Sequence, residues 1–268
     1  MSPAPETSQY IGRFAPSPTG DLHFGSLIAA VGSYLQARAN QGKWLIRIED
    51  IDPPREVEGS AEKILDDLSR LGMNADEPVL YQSTRMDKFR EVRDSLLKSG
   101  LAFECSCSRS TLPPGGAYPG TCRKGTADPG RPLSTRLVTE NALIRFVDGL
   151  QGPITENLSE TCGDFVIWRA DGLPACQLAV VVDDAGSEVT EIVRGADLMD
   201  STCRQIHLQT SLGLPTPDYI HLPVATQDGK KLGKRFQSDP VNLRDPVKTL
   251  GTAMSFLGHR PPQGLDLA

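Results

Sequence analysis

Strand-like and helix-like segments alternate along the first hundred residues. Short β-prone runs fall at 10–14 and 44–48. Apolar residues with helical spacing fall at 26–40, 60–71 and 85–99. This order is typical of a parallel sheet with helices on both faces. The sequence therefore predicts an α/β, Rossmann-like fold.

The strand pattern breaks between residues 104 and 132, which are rich in Gly, Pro, Ser and Cys. A loop of that length inside a domain needs a special reason, and a metal-tied insertion supplies one. The later pattern predicts strands at 165–168, 177–182 and 188–193 and helices at 201–212 and 245–257. We expect a split catalytic domain at 1–104 and 132–214, a zinc-binding insertion at 105–131 and a mostly helical appendage at 215–268.

The chain is acidic, with 28 Lys+Arg against 34 Asp+Glu, a net charge of −6. This balance argues against a nonspecific nucleic-acid binder, although a local basic patch can still contact RNA phosphates. No apolar stretch is long enough to span a membrane, and the polar first eight residues have no signal core. We expect a cytoplasmic monomer.

The most informative segment is 13–26, R-F-A-P-S-P-T-G-D-L-H-F-G-S. A strand ends, a Pro/Gly loop turns, and His23 stands where a helix opens. A helix N-terminus attracts phosphate, and Gly25 allows a ligand to approach closely. A capping histidine is the bland reading of His23 alone, but the complete string favours a nucleotide site.

Two further segments carry charge near strand ends. Residues 47–52, R-I-E-D-I-D, place Glu49 where a carboxylate can hold a substrate ammonium. Residues 193–198 place Arg194 just past a predicted strand, where a guanidinium can clamp a carboxylate. Asp183 and Asp184 end the predicted strand at 177–182 and are expected to complete the crevice. Taken alone, residues 47–52 could be a solvated strand end, and Arg194 could belong to a surface ion pair.

The chain also carries a lysine loop and a cysteine cluster. Lys231 and Lys234 follow Asp228-Gly229 and suit a mobile loop that closes over a triphosphate. The cluster could supply three thiolates and a tyrosine oxygen to tetrahedral zinc, although a reduced, metal-free loop is the alternative. Its members are Cys105, Cys107, Tyr118 and Cys122.

Together these segments resemble the catalytic half of the class I glutamyl-tRNA synthetases. Residues 13–26 are similar to the "HIGH" region, and 231–235 to the "KMSKS" loop. Residues 47–52 and 193–198 resemble that family's R-I-E-D-x-D and R-G-x-D-L segments. Only 268 − 235 = 33 residues follow the KMSKS-like loop. This short end and the cysteine pattern resemble a paralogous family, the glutamyl-queuosine tRNA(Asp) synthetases.

The resemblance implies that the chain activates L-glutamate with ATP and Mg²⁺ and transfers it to queuosine at the wobble position of tRNA(Asp). It implies zinc on the four cluster residues and catalytic roles for His23, Lys231 and Lys234. His23, Gly25, Ser26 and Lys234 would bind ATP. The glutamate site would be lined by Arg13, Phe14, Ala15, Pro16, Ser17, Glu49, Cys176 and Arg194, with Glu49 on the α-ammonium and Arg194 on a carboxylate.

Three positions depart from the family pattern. Ser26 stands in place of the second histidine of HIGH, Gly233 in place of a serine of KMSKS, and Cys176 in place of a pocket tyrosine. A shorter side chain at Cys176 enlarges the pocket and removes a hydroxyl. Three alternatives therefore stay open: charging of the 3′ end of tRNA(Glu), a non-catalytic RNA- or nucleotide-binding paralogue, and activation of another amino acid.

Overall fold

The computed structural model describes residues 9–108, 116–128, 130–227, 230–231 and 240–261. The strands in this part are β1 (Ile11–Phe14), β2 (Lys43–Ile48), β3 (Leu80–Tyr81), β4 (Ala102–Cys105), β5 (Ser134–Leu137), β6 (Leu143–Asp148), β7 (Gly152–Asn157), β8 (Phe165–Trp168), β9 (Glu191–Gly195), β10 (Asp218–Leu222), β11 (Thr226–Gln227) and β12 (Lys230–Lys231). The helices are α1 (Phe24–Ala39), α2 (Ser60–Arg70), α3 (Met86–Lys98), α4 (Leu158–Thr161), α5 (Cys176–Gly186), α6 (Met199–Leu212) and α7 (Pro246–Phe256).

The chain divides into two units, each built from separate stretches of sequence. The first unit comprises Met1–Tyr81, Val189–Asp197 and Pro217–Ala268. The second comprises Gln82–Glu188 and Leu198–Thr216. No helix in the described ranges has the length and apolar character needed to cross a bilayer.

The first unit is built on parallel strands, as the sequence predicts. β2 pairs in parallel with both β1 and β3, and β9 pairs in parallel with β10. The start of β9 is joined to β1, because Ile11 donates its N–H to Thr190 Oγ1 and accepts the Thr190 N–H, both at 2.9 Å. The α/β fold predicted from alternation is therefore confirmed.

Helix α1 covers these strands with an apolar face. Leu27, Ala30 and Val31 are buried and pack in one cluster with residues of β1, β2 and β9. Trp44 is fully buried in this cluster, and its indole N–H donates to Ser33 Oγ at 3.0 Å. That bond matters because a buried indole N–H without a partner is destabilising.

The second unit contains antiparallel strands, of which the sequence pattern predicted β8, at 165–168, but not β4, β5, β6 or β7. β5 pairs antiparallel with β4 and β8, and β6 forms an antiparallel hairpin with β7. β4, β5 and β8 have four residues each, and every residue of β5 is buried. A run as short as β5, buried along its whole length, lacks the period-2 alternation that identifies a strand.

The prediction of a strand at 177–182 is wrong. These residues belong to helix α5, in which seven consecutive residues from Leu178 to Asp184 are buried. A helix buried on all sides has no amphipathic period, so its apolar run cannot be told from a buried strand. Asp183 and Asp184 therefore lie within a helix and do not end a strand.

The other helix predictions agree with the structure to within two residues at each end, because their apolar residues recur at helical spacing. The strand predicted at 188–193 is displaced, since β9 extends to Gly195 and includes Arg194. That side chain is consequently held within the sheet and is 5 % exposed.

Two glycines give opposite stability predictions. A Cβ at Gly42 would overlap the Tyr10 carbonyl oxygen, which already accepts the Lys43 N–H. Because a backbone atom cannot move aside, we expect Gly42→Ala to lower the free energy of unfolding by about 1–3 kcal/mol. Gly251 lies inside α7, where an added Cβ meets only ordinary contacts of 3.6 Å and longer.

Gly251→Ala should therefore raise the free energy of unfolding by about 0.5–1 kcal/mol, since alanine favours a helix interior. Urea unfolding followed by circular dichroism measures both variants. Equal midpoints for the two variants would contradict the assignment of Gly42 to a crowded site.

Candidate functional site

The loop between β1 and α1 is held in place by backbone hydrogen bonds to neighbouring segments. Pro16 accepts the N–H of Glu49 at 3.0 Å, and Pro18 accepts that of Val57 at 2.9 Å. Ser60 Oγ donates to the Gly20 carbonyl at 2.7 Å and accepts the Gly20 N–H at 3.1 Å. Gly20 has φ 130°, which other residues rarely adopt. The candidate glutamate-binding residues 13–17 thus lie at the end of β1 and in the fixed loop that follows it.

His23 caps the N-terminus of α1, where the sequence placed it. Its Nδ1 accepts the Ser26 N–H at 3.1 Å, and its Nε2 lies 2.9 Å from Ser26 Oγ. Since Nδ1 accepts, Nε2 carries the proton and donates to the hydroxyl. Ser26, at the position of the second HIGH histidine, thereby fixes the His23 ring. Gly25 lies in the same first turn, at the positive end of the sixteen-residue helix.

The carboxylates after β2 have distinct surroundings. Glu49 is 13 % exposed in its side chain and accepts from Arg47 Nη2 at 3.2 Å. Arg47 is itself buried in β2. Asp52 pairs with the exposed Arg55. Glu49 is therefore the carboxylate of this segment that is held against a buried cation beside the β1–α1 loop.

Arg194 is positioned by a histidine that the sequence analysis missed. The Arg194 Nε–H donates to His221 Nε2 at 3.1 Å, and the two residues are register partners in β9 and β10. His221 is fully buried, and its ring stacks on Tyr219 at 6.0 Å between centroids. The Arg194 guanidinium lies 5.4 Å from the Tyr219 ring. The alternating rings of β10 are the only signal that could have identified His221 from sequence.

The first unit brings the predicted nucleotide and amino-acid residues onto neighbouring elements. Arg13 lies in β1, Glu49 follows β2, Arg194 lies in β9, and His23 precedes α1. These elements contact one another, and the carboxyl ends of parallel strands are the usual ligand-binding edge of an α/β sheet. Arg13 and Arg194 are both 5 % exposed, so the sheet contains buried cations that suit anionic ligands.

Other predicted site residues fall elsewhere. Lys234 lies outside the described residues, and for Lys231 the structure describes only the backbone, in β12. Cys176 is the exposed first residue of α5 in the second unit. Asp183, expected at the crevice, is instead buried and accepts from Gln82 Nε2 at 3.0 Å and Arg85 Nε at 3.1 Å. This ion pair explains its presence in an apolar helix.

The second unit gathers the four predicted metal ligands. The sulfurs of Cys105, Cys107 and Cys122 lie within 4.8 Å of one another. The Tyr118 hydroxyl is 3.4 Å from Cys105 Sγ and 3.9 Å from Cys107 Sγ. Thiolates bound to zinc at about 2.3 Å in a tetrahedron lie about 3.8 Å apart. The 3.7 Å between Cys107 and Cys122 fits that spacing, so the cluster is compatible with a metal ion.

Neighbouring backbone groups favour the thiolate form of Cys122, one of the four predicted metal ligands. Burial by itself raises the pKa of Cys122, but backbone N–H groups of Ala127 and Ser106 point at the sulfur and bring its pKa down to about 6. Burial raises the pKa of Cys107. Arg136 Nε donates to Cys105 Sγ at 3.2 Å, so a buried cation faces the cluster.

A buried carboxylate joins the cysteine cluster to the second unit's sheet. Asp164 is fully buried and accepts two bonds of 2.7 Å from the Arg123 guanidinium, next to Cys122. The same carboxylate accepts the N–H and hydroxyl of Thr139. Its carbonyl accepts from Arg136 at 2.7 Å. No sequence pattern marked Asp164, because its partners are distant along the chain.

Comparisons with known proteins agree with this geometry. The family of class I tRNA synthetases (E and Q), catalytic domain, matches residues 11–114 and 121–255. A "Glutamyl-Q tRNA(Asp) synthetase" of Aromatoleum aromaticum is 50 % identical over 97 % of this chain and 84 % of its own length. A protein of the same name from Pseudomonas aeruginosa is 51 % identical over 98 % of this chain and 90 % of its own length.

A solved glutamate tRNA ligase from Elizabethkingia meningosepticum, in complex with its amino acid, has a similar fold. The TM-score is 0.75 at 27 % identity, over 85 % of this chain and 52 % of the ligase. The chain thus spans about half the length of that ligase. On the family match and on relatives that are half identical over almost the complete chain, the protein belongs to the class I glutamyl-tRNA synthetase family and, within it, to the glutamyl-Q tRNA(Asp) synthetases.

Proposed function

We propose that this protein is a ligase that activates L-glutamate with ATP and transfers the glutamyl group to queuosine at the wobble position of tRNA(Asp). One observation carries the proposal. The β1–α1 loop is fixed by hydrogen bonds to neighbouring segments and places His23 at the N-terminus of a sixteen-residue helix, while Glu49 and buried arginines lie on the adjoining elements. The names of the half-identical relatives support the acceptor. We also propose a cytoplasmic location, where both ATP and tRNA are available as substrates.

In the first step, a glutamate α-carboxylate oxygen bonds to the α-phosphorus of ATP. The bond to the β-phosphate bridging oxygen breaks, and pyrophosphate leaves with its magnesium. Negative charge grows on the α-phosphate oxygens as the new bond forms. The N-terminus of α1 stabilises this charge together with His23, whose Nε2–H would turn from Ser26 Oγ to a phosphate oxygen, and Lys231 and Lys234 neutralise the departing pyrophosphate.

Glutamate is held by charge on both of its ends. Glu49 accepts from the α-ammonium, and Arg194 pairs with a substrate carboxylate in two-pronged geometry. The Arg194–His221 bond fixes the plane of the guanidinium before substrate arrives. Residues 13–17 line the site, with the Arg13 guanidinium at the end of β1 and the backbone and small side chains of Ala15 and Ser17 in the loop. The protein thus contributes positioning and charge, and no covalent enzyme intermediate is needed.

In the second step, a hydroxyl of the queuosine cyclopentenediol attacks the carbonyl carbon of the glutamyl-adenylate. A new ester bond forms, the acyl–phosphate bond breaks, and AMP leaves with the electron pair while the hydroxyl proton passes to its phosphate. Charging of the 3′ end of tRNA(Glu) is the competing function, because the solved glutamate tRNA ligase shares this fold. The two functions differ in the nucleotide that receives the glutamyl group.

We also propose that Cys105, Cys107, Tyr118 and Cys122 bind zinc. The sulfur positions support this, since all three lie within 4.8 Å of one another and the Cys107–Cys122 distance of 3.7 Å matches that of a tetrahedral thiolate site. A bound zinc ion would supply structural cross-links between β4 and the loop that carries Tyr118 and Cys122. The roles of Cys176, Lys231 and Lys234 and the monomeric state remain predictions from the sequence.

The activation step predicts glutamate-dependent exchange of pyrophosphate into ATP without RNA. His23→Ala should lower the exchange rate about 10²–10³-fold, because a preorganised donor to the α-phosphate is lost. His259→Ala, an exposed histidine beyond α7, is the control and should exchange normally. No exchange by the native protein with any amino acid would leave a binding paralogue as the better reading.

If queuosine in tRNA(Asp) is the acceptor, radioactive glutamate is attached to that nucleotide. We expect label on the queuosine nucleotide after nuclease digestion of tRNA(Asp), and none on unmodified tRNA(Asp). Chromatography of the digest identifies the labelled nucleotide. Label on the terminal adenosine would refute transfer to the wobble base and support the 3′-end alternative.

The cysteine cluster predicts one zinc ion per chain, measured by elemental analysis. Cys107→Ser and Cys122→Ser should both lose the metal, whereas Cys162→Ser, outside the cluster, should keep it. Lowering the pH should release zinc, since protons compete with the metal for the thiolates, including that of Cys122, whose pKa without metal is about 6. Native protein that contains no zinc after growth in zinc medium would contradict the site.

A further inference from the structure

Helix α7 has one apolar face and one polar face. Leu250, Ala253, Met254 and Leu257 pack in the core of the first unit, and Phe256 contacts Phe24 edge-on at 5.9 Å. The opposite face, at spacing i, i+4 and i+7, carries Lys248, Thr252 and Ser255, all exposed. This face is therefore presented to solvent along the complete helix.

The cations of this segment differ from the others of the first unit. Elsewhere in that unit, each described Lys or Arg side chain either has an acidic partner within 4.0 Å or is buried, as Arg13 and Arg194 are. Arg244, Lys248 and Arg260 are exposed and have no ion-pair partner among the described residues. Residues 240–261 contain these three cations and one acid, Asp245, a net charge of 3 − 1 = +2 in a chain of net charge −6.

The lone acid is already engaged. Asp245 caps α7, with Oδ1 accepting the Lys248 N–H at 3.0 Å. Arg70 adds a fourth cation nearby, since its Nη2 donates to the Leu243 carbonyl at 3.3 Å, although its own acid, Asp66, lies 4.0 Å away. Residues 240–261 therefore carry positive charge at both ends of α7, from Arg244 and Lys248 at its start and from Arg260 beyond its end.

The segment borders the candidate nucleotide site. Val241 donates its N–H to the Leu22 carbonyl at 2.9 Å, and Pro240 forms a β-bridge with His23. Arg244 and Lys248 therefore follow, within eight residues, the point where the chain touches the N-terminus of α1. A macromolecule bound along α7 would lie next to the helix that caps the nucleotide site.

We propose that Arg244, Lys248 and Arg260 form a docking strip for the phosphate backbone of tRNA. The inference rests on the proposed function and adds to it the surface that receives the RNA. The eleven residues of α7 span about 17 Å at 1.5 Å each, so the cations at its two ends can contact phosphates several nucleotides apart. Lysine and arginine contacts of this kind release counterions and make binding depend on salt.

A matched pair of double variants tests the strip. Arg244→Gln/Lys248→Gln removes one Arg and one Lys from it. Lys98→Gln/Arg145→Gln removes one of each from the second unit, where both side chains are exposed and have no ion-pair partner among the described residues. Affinity for queuosine-containing tRNA(Asp) is measured by filter binding across a salt series, and glutamate-dependent pyrophosphate exchange is measured without RNA.

We expect the strip variant to bind tRNA roughly tenfold more weakly at moderate salt, with a log–log salt slope reduced by about 1–2 units. Its exchange rate should equal that of the native protein, because no RNA takes part. The control should bind within about twofold of native. The charge-preserving swap Arg244→Lys/Lys248→Arg should restore affinity, since phosphate contacts depend chiefly on charge.

Arg260 lies beyond the end of α7, so the Arg260→Gln variant tests the strip without altering the helix. It should weaken tRNA binding in the same direction as the double variant. Strip variants that bind as tightly as the control, or with an unchanged salt slope, would overturn the docking proposal alone. Native protein that neither exchanges pyrophosphate nor modifies tRNA would instead overturn the proposed function.

Discussion

The parallel pairing of β1 with β2 is the constraint on which the rest of the site depends. It brings the end of β1 beside the segment after β2, where Pro16 accepts the N–H of Glu49. Because Pro18 and Gly20 are also hydrogen-bonded to neighbouring segments, the loop is held in one conformation between the sheet and α1. That path determines where His23 caps the helix. The position of the candidate phosphate and amino-group site thus follows largely from hydrogen bonds to the backbone of this loop.

Buried charges in both units are satisfied by partners from distant parts of the sequence. In the first unit, Arg194 is oriented by His221 on the adjacent strand. In the second, Asp164 accepts from Arg123 and Thr139, and Asp183 from Gln82 and Arg85. Because an uncompensated buried charge is strongly destabilising, each network restricts its segment to one arrangement. The cysteine cluster depends on this directly, since Arg123 is adjacent to Cys122.

The sequence predicted the first unit well because its signals are local. The apolar spacing of α1 and α2, the Pro/Gly loop and the capping position of His23 each act within a few residues. The second unit was predicted less well. β5 has four buried residues and no alternation, and α5 is buried on all sides, so neither element shows the period that a sequence pattern needs. The cysteine cluster was predicted from residue type and spacing alone.

The sequence by itself determined which residues are candidates for the chemistry: the loop-and-histidine motif, the strand-end Glu49, the arginine of β9 and the four residues of the cysteine cluster. Only the tertiary structure decided which partners orient them. His221 on Arg194, Ser60 on Gly20, Arg136 on Cys105 and the exposed cations around α7 are long-range or surface properties. The physical reason is that periodicity and turn chemistry act over a few residues, whereas burial and charge compensation depend on residues that only folding brings together.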